Sequence, residues 1–130
     1  MTRNDKEYLF HLLQEIYFDN IDTAKADEAA EAMHNNVRWV HNQVWEHDAH
    51  KTNIRDTFNG RKEVRDFLRK RIVEMQIEGI IHKVENVVSD GKLGAFKANV
   101  IGTDKSKKPF FGLVELKENK IIYYRVLPQE

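Results

Sequence analysis

At 130 residues the chain is long enough for one domain, spanning 1–130, that folds on its own core. Its 21 basic side chains match 21 acidic ones, so no global field draws in nucleic acid or a membrane, and 41% hydrophobic with 32% charged residues excludes a disordered chain. With no cysteine, disulfides, thiolate metal sites and a cysteine nucleophile are all excluded, and the cytoplasm is the default compartment.

The start, Met1-Thr2-Arg3-Asn4-Asp5-Lys6-Glu7, is polar and lacks the apolar stretch of a signal peptide. No apolar run approaches the roughly 20 residues that a membrane span requires. Asn4 followed by Glu7 then has the form of a helix N-cap with its returning partner. Leu9, Leu12, Leu13, Ile16 and Tyr17 recur at helical spacing and make one apolar stripe. Asp22 is suited to cap a second helix, in which Ala26, Ala29, Ala30 and Met33 repeat at the same period and Asn35-Asn36 ends it.

The period then falls to two. Val37, Trp39 and His41 alternate with Arg38, Val40 and Asn42, as in a strand with two unlike faces. Residues 43–57 have no clean period and read as a long loop with room for a short strand, a length that suits a lid or binding segment. After Asn59-Gly60 a third helix carries Val64, Phe67, Leu68, Ile72 and Met75 on one side. Arg61, Lys62, Arg65, Arg69 and Lys70 on its other side are interleaved with Glu63, Asp66 and Glu74, which makes a solvated, ion-paired face.

From Gly79 onward the pattern is strand. Asp90-Gly91 suits a tight type I′ hairpin between residues 81–89 and 92–103, and Glu118-Asn119 turns the chain into a last strand, Lys120 to Leu127. Three helices, one early strand and a meander joined by short hairpins define an α+β class, with helices on one face of an antiparallel sheet.

Three stretches carry a resemblance. Residues 27–39, DEAAEAMHNNVRW, look like a helix running into a first strand. Residues 58–68, FNGRKEVRDFL, are similar to the entry of a third helix, and 120–126, KIIYYRV, to a closing strand. Together they resemble the nuclear transport factor 2-like superfamily, in its SnoaL-like and ketosteroid isomerase-like branch. The resemblance implies a cone-shaped α+β barrel of the nuclear transport factor 2-like, or cystatin-like, type: three N-terminal helices on a strongly curved antiparallel sheet. A ligand would lie between the two layers.

Laid on the ketosteroid isomerase pattern, Tyr17 falls at the oxyanion-hole tyrosine and His41 at the aspartate general base. The second oxyanion donor falls near Gly112, so that role is lost. Scytalone dehydratase-like members use histidine and tyrosine in such a cone.

On this reading His41 and Tyr17 are the candidate catalytic residues. An imidazole takes and gives protons near neutrality, and a phenol in an apolar site stabilises an oxyanion. The bland alternatives are a histidine satisfied at a strand end and a core tyrosine. Trp39, Phe58, Phe96, Phe110, Val114, Tyr124 and Val126 are the candidate ligand-pocket wall, with Trp45 as a lid; an ordinary filled core is the alternative. His41, His47, His50 and Asp48 match no strong metal signature, so no metal is expected, and no organic cofactor is implied.

The outer sheet face, with Val40, Ile101, Leu113, Tyr123 and Leu127 among Arg38, Asn99, Glu115 and Arg125, is too apolar to stand bare and predicts a homodimer. The function expected is a small-molecule-binding cone acting on an apolar ligand as an isomerase, dehydratase or cyclase through His/Tyr acid–base chemistry. The competing reading is a non-catalytic binding or homo-oligomeric assembly module.

Overall fold

A computed structural model describes residues 4–42, 44 and 55–129, with only the backbone of Ile77. The first helical rod is three segments in series: α1 (Asp5–Phe10), a π-helical stretch (His11–Phe18) and α2 (Asp19–Asp22). Asn4 caps it, its side chain accepting the Glu7 N–H at 2.8 Å and donating back to the Glu7 carboxylate at 2.7 Å. In the π segment the Asp19 N–H reaches Gln14 O, five residues back. That wider winding turns Gln14 and Phe18 inward beside Leu12, Leu13 and Tyr17, whereas a regular helical period left those two off the stripe.

Asp22 does not cap the next helix. α2 ends there, Ala24 takes a positive φ of 63°, and α3 (Ala26–Ala30) starts from Lys25 without a side-chain cap. The Asp22 carboxylate is occupied elsewhere, as described below. Nor does Met33 prolong that helix: it opens β1 (Met33–Asn42), whose register shifts between Met33 and Arg38. Asn35-Asn36 thus falls inside the strand.

β2 (Arg55–Asn59) precedes α4 (Arg61–Glu78), and β3 (Ile81–Ser89), β4 (Leu93–Ile101), β5 (Lys107–Lys117) and β6 (Lys120–Pro128) complete one sheet. The order is β2-β1-β6-β5-β4-β3, so the curved sheet is open. The neighbours pair antiparallel except β1 with β6, which run parallel with Trp39 opposite Tyr124 and His41 opposite Val126. No hairpin links β1 to β6, so the rule that makes the meander antiparallel does not act on them. The tight I′-type turn sits at Glu118-Asn119, where both φ values are positive. At Asp90-Gly91 only Gly91 has positive φ, and the Asp90 carboxylate closes a wider loop by accepting the Lys92 and Leu93 N–H groups.

Strand alternation divides the sheet. Val37 and Trp39 of β1, Phe96, Ala98 and Val100 of β4, Phe110 and Val114 of β5, and Tyr124 and Val126 of β6 are buried under the helices. α4 lies against β1 and β2, the first rod lies against β3, and α3 is tied to α4 by Arg69 gripping Asp27 at 2.7 and 3.0 Å. Among the described residues no helix is long and apolar enough to cross a membrane.

Among the described glycines Gly112 is the most closely packed. A Cβ there would lie 2.1 Å from Phe96 Cε1, and the Phe96 ring is held by those of Phe18, Phe110 and Tyr124. Gly112→Ala is therefore expected to cost about 1–3 kcal/mol of folding stability through overpacking, measured as a fall in the urea midpoint at unchanged slope.

Candidate functional site

Between the concave face and the helices lies a cavity of about 50 Å³. By this measure one water needs roughly 10–15 Å³, so the space suits a compact molecule. Most of its wall is apolar: Phe18, Ile21, Val44, Phe67, Leu68, Met75, Ile80, Val100 and Phe110. The polar lining comes from Tyr17 in the π segment, Trp39 and His41 on β1, Arg71 on α4, His82 on β3 and Tyr124 on β6.

Tyr17, Trp39 and Tyr124 form the first polar group. The Trp39 indole N–H donates to the Tyr17 oxygen at 3.1 Å, and the Tyr17 and Tyr124 hydroxyls share a hydrogen bond. Trp39 lies nearly parallel to Tyr124 at 5.8 Å and to His41 at 5.1 Å. Burial pushes the Tyr17 hydroxyl far above an ordinary phenol, and the bonds from Trp39 and Tyr124 offset this only in part. Tyr124 is raised too, by burial first and then by Tyr17 beside it. Both are neutral donors rather than bases.

His82 and Asp22 form the second. Asp22 accepts the backbone N–H of His82 at 2.8 Å and meets its Nδ1 at 2.6 Å. A carboxylate at Nδ1 selects the tautomer with the proton there and leaves Nε2 as the ring's acceptor. The imidazole is stacked on Phe18 at 5.0 Å with its edge toward Phe110. Buried Gln14 clamps the same strand, donating to His82 O at 2.9 Å and accepting the Val84 N–H at 2.6 Å.

Arg71 is the third, only 7% exposed. Its Nη1 pairs with Glu74, and its guanidinium carbon stands 5.9 Å from the Phe67 ring centre. Burial lowers its proton affinity, opposed by the negative charges of Glu74, Asp56 and Glu78. Among the described residues no cluster of His, Asp or Glu has the form of a metal site.

No protein-family model matches the sequence, and comparison with curated proteins gives no match. Solved structures do match. A candidate ketosteroid isomerase from Kribbella flavida DSM 17836 superposes with a TM-score of 0.66 at 19% identity, over 97% of this chain and 81% of that one. An LEH-like epoxide hydrolase of M. tuberculosis gives 0.67 at 14%, over 97% and 86%. A nuclear transport factor 2-like protein of unknown function from Mesorhizobium loti gives 0.66 at 9%, over 100% and 98%. The chain has the nuclear transport factor 2-like fold.

Within that fold, Tyr17, Trp39, His41, Phe110 and Tyr124 line the cavity. Phe96, Val114 and Val126 pack in the core cluster without reaching its lining, and Phe58 is partly buried against Trp39 and Phe67. Trp45, with Glu46, His47, Asp48 and His50, lies outside the described residues. Gly112 has no side-chain donor, and the Phe96 ring covers it.

Two polar lining residues, Arg71 and His82, were not singled out by sequence. Arg71 did leave a signal: counted from Val64 through Phe67 and Leu68 to Met75, it falls on the apolar stripe of α4, where a charge is out of place. His82 left none, since its partner Asp22 lies 60 positions away.

The two raised phenols have a measurable consequence. In the folded state Tyr17 and Tyr124 keep their protons, whereas unfolded tyrosines release theirs near the ordinary value of 10.0. A group with raised native affinity for its proton stabilises the fold below that value and loses the contribution as pH climbs past it. Folding stability is expected to fall above about pH 10. The last phenolate absorbance should appear only together with loss of near-UV circular dichroism.

Proposed function

We propose that the cavity binds a compact, mostly apolar molecule and moves a proton on it, as isomerases, dehydratases and cyclases do. The observation that carries this reading is the convergence of two donor–acceptor systems on one apolar hollow: the Tyr17–Trp39–Tyr124 hydroxyl network and the Asp22–His82 pair. Tyr17 accepts from Trp39 and Tyr124, so the proton it carries is the one it lends to an oxyanion. His82, oriented by Asp22, takes the proton through Nε2, and His41 beside Trp39 is a second proton-transfer group. The solved structures with this fold include a candidate ketosteroid isomerase and an LEH-like epoxide hydrolase, which agrees with such chemistry in the hollow.

A substrate-independent assay tests it. Cyclopentanone in D₂O exchanges its α-protons through an enolate, and the protein should accelerate that exchange, followed by NMR. Tyr17→Phe should lower the catalysed rate about 10²–10³-fold and His82→Ala about 10²–10⁴-fold, with circular dichroism unchanged. Full exchange activity in both variants would exclude the chemistry assigned to them.

A second reading, homodimeric assembly, draws on the outer face. Val88 (66% exposed), Leu93, Phe111, Leu113 (58%) and Leu127 stand out from β3–β6, and register places Val88, Ala95 and Leu113 in one row. Val40 and Asn99, read from sequence as outer-face residues, are buried. Light scattering should give twice the chain mass at micromolar concentration, and Leu113→Asp should return it to one chain. A wild-type protein that stays at one chain mass throughout removes this reading.

A further inference from the structure

Resting on the proton-transfer reading of the cavity, we infer that its substrate is a small α-hydroxy ketone, whose carbonyl and hydroxyl the hollow interchanges through an enediol. The phenol pair carries the inference. Tyr17 and Tyr124 are 2% and 1% exposed, both line the hollow, and their ring centres stand 5.4 Å apart. The Tyr17 oxygen accepts the Trp39 N–H at 3.1 Å and the Tyr124 hydroxyl, which fills both of its lone pairs. Its own proton has no acceptor among the described residues, and the Tyr124 oxygen has no donor among them. Buried polar groups are rarely left in that state. The hollow therefore presents one donor and one acceptor side by side, and the complementary ligand bears an acceptor and a donor on neighbouring atoms.

A carboxylic acid or a primary amide has such a pair too, but its carbon-bound protons are too weakly acidic for an imidazole. Those beside a ketone are within its reach. His82 is the base: Asp22 holds Nδ1 at 2.6 Å, which leaves the lone pair on Nε2. The substrate hydroxyl is kept rather than expelled, because Tyr124 has committed its proton to Tyr17 and has none for a leaving group. Short alkyl ends suit the apolar wall and the volume of about 50 Å³. In the reaction, His82 Nε2 takes the proton from the carbinol carbon. That C–H electron pair becomes a carbon–carbon double bond as the carbonyl π pair moves onto oxygen. Tyr17 gives its proton to this oxygen, Tyr124 refills Tyr17, and the substrate hydroxyl refills Tyr124, so both phenols end as they began. The remaining oxyanion forms the new carbonyl while the imidazolium returns its proton to the former carbonyl carbon. One carbon is oxidised and its neighbour reduced, so no outside oxidant or reductant takes part.

The probe is 3-hydroxybutan-2-one carrying ¹³C in its acetyl methyl group. Interchange moves the label to the carbinol side, and NMR resolves the two methyl signals. The controls are 3-methoxybutan-2-one, which lacks the hydroxyl proton, and butan-2-one, which lacks that oxygen. Deuterium uptake at carbon 3 is followed for all three in D₂O, each rate being divided by the rate in buffer alone. The wild-type protein should transfer the label and accelerate uptake by the hydroxy ketone at least about tenfold more than by either control. Y124F should lower label transfer at least about tenfold more than it lowers cyclopentanone exchange, since only the former uses the Tyr124 oxygen as an acceptor. If Y124F does not fold, the wild-type series decides.

Cyclopentanone exchange without label transfer, equal acceleration of the three ketones, or equal loss of both reactions in Y124F overturns the hydroxy ketone assignment. Each of these leaves the proton-transfer site standing. If neither cyclopentanone nor 3-hydroxybutan-2-one reacts faster than in buffer, both fall.

Discussion

The carboxylate of Asp22 joins the helical layer to the sheet, and the shape of the hollow depends on that joint. It closes the first rod and accepts two N–H groups from one residue of β3, the backbone and the ring of His82. Gln14, two turns earlier in the rod, repeats the device on the His82 carbonyl and the Val84 amide. Because these groups are shielded from water, loss of either partner leaves the other unsatisfied, which costs more than the bond itself contributes. The rod is held at one height over the sheet, and Tyr17 and Phe18 are carried into place with it.

The π-helical winding is the second half of the same arrangement. A regular helix would present Leu13 and Tyr17 and turn Phe18 away. The wider turn presents Tyr17 and Phe18 together, one toward Trp39 and Tyr124, the other toward His82 and Phe110. Two of the cavity's three polar groups thereby receive aromatic support from consecutive residues. π-turns inside helices are found often at functional sites, and here the link is direct, through side-chain placement.

The architecture was legible in the sequence because it rests on periodicity. Val37 and Trp39 alternate as a half-buried strand does, Leu9 to Tyr17 as a helix does, and the turns before β4 and β6 lie where the sequence signals them. What escaped depends on distance. Asp22 has a local role in every window of the sequence and a non-local one in the molecule. The parallel partner of β1 is the last strand, which no hairpin signal reports. The candidate site divides in the same way: Tyr17 and Trp39 announce themselves on local stripes, His82 acquires meaning only beside Asp22, and Arg71 could be found by asking why a cation stands in an apolar row.

The parallel pairing of β1 with β6 also governs how the chain must assemble. β1 and β2 can form a hairpin early, and β3 to β6 a meander, but the two halves share no ladder until β6 lies beside β1. Residues some 85 positions apart, such as Trp39 and Tyr124, must meet before the sheet is continuous. Sequence-distant contacts of this kind slow folding, since the entropy of closing a long loop is lost before any contact repays it. The β1 edge that receives β6 stays unpaired until β6 is in place, and the hollow takes its form only then.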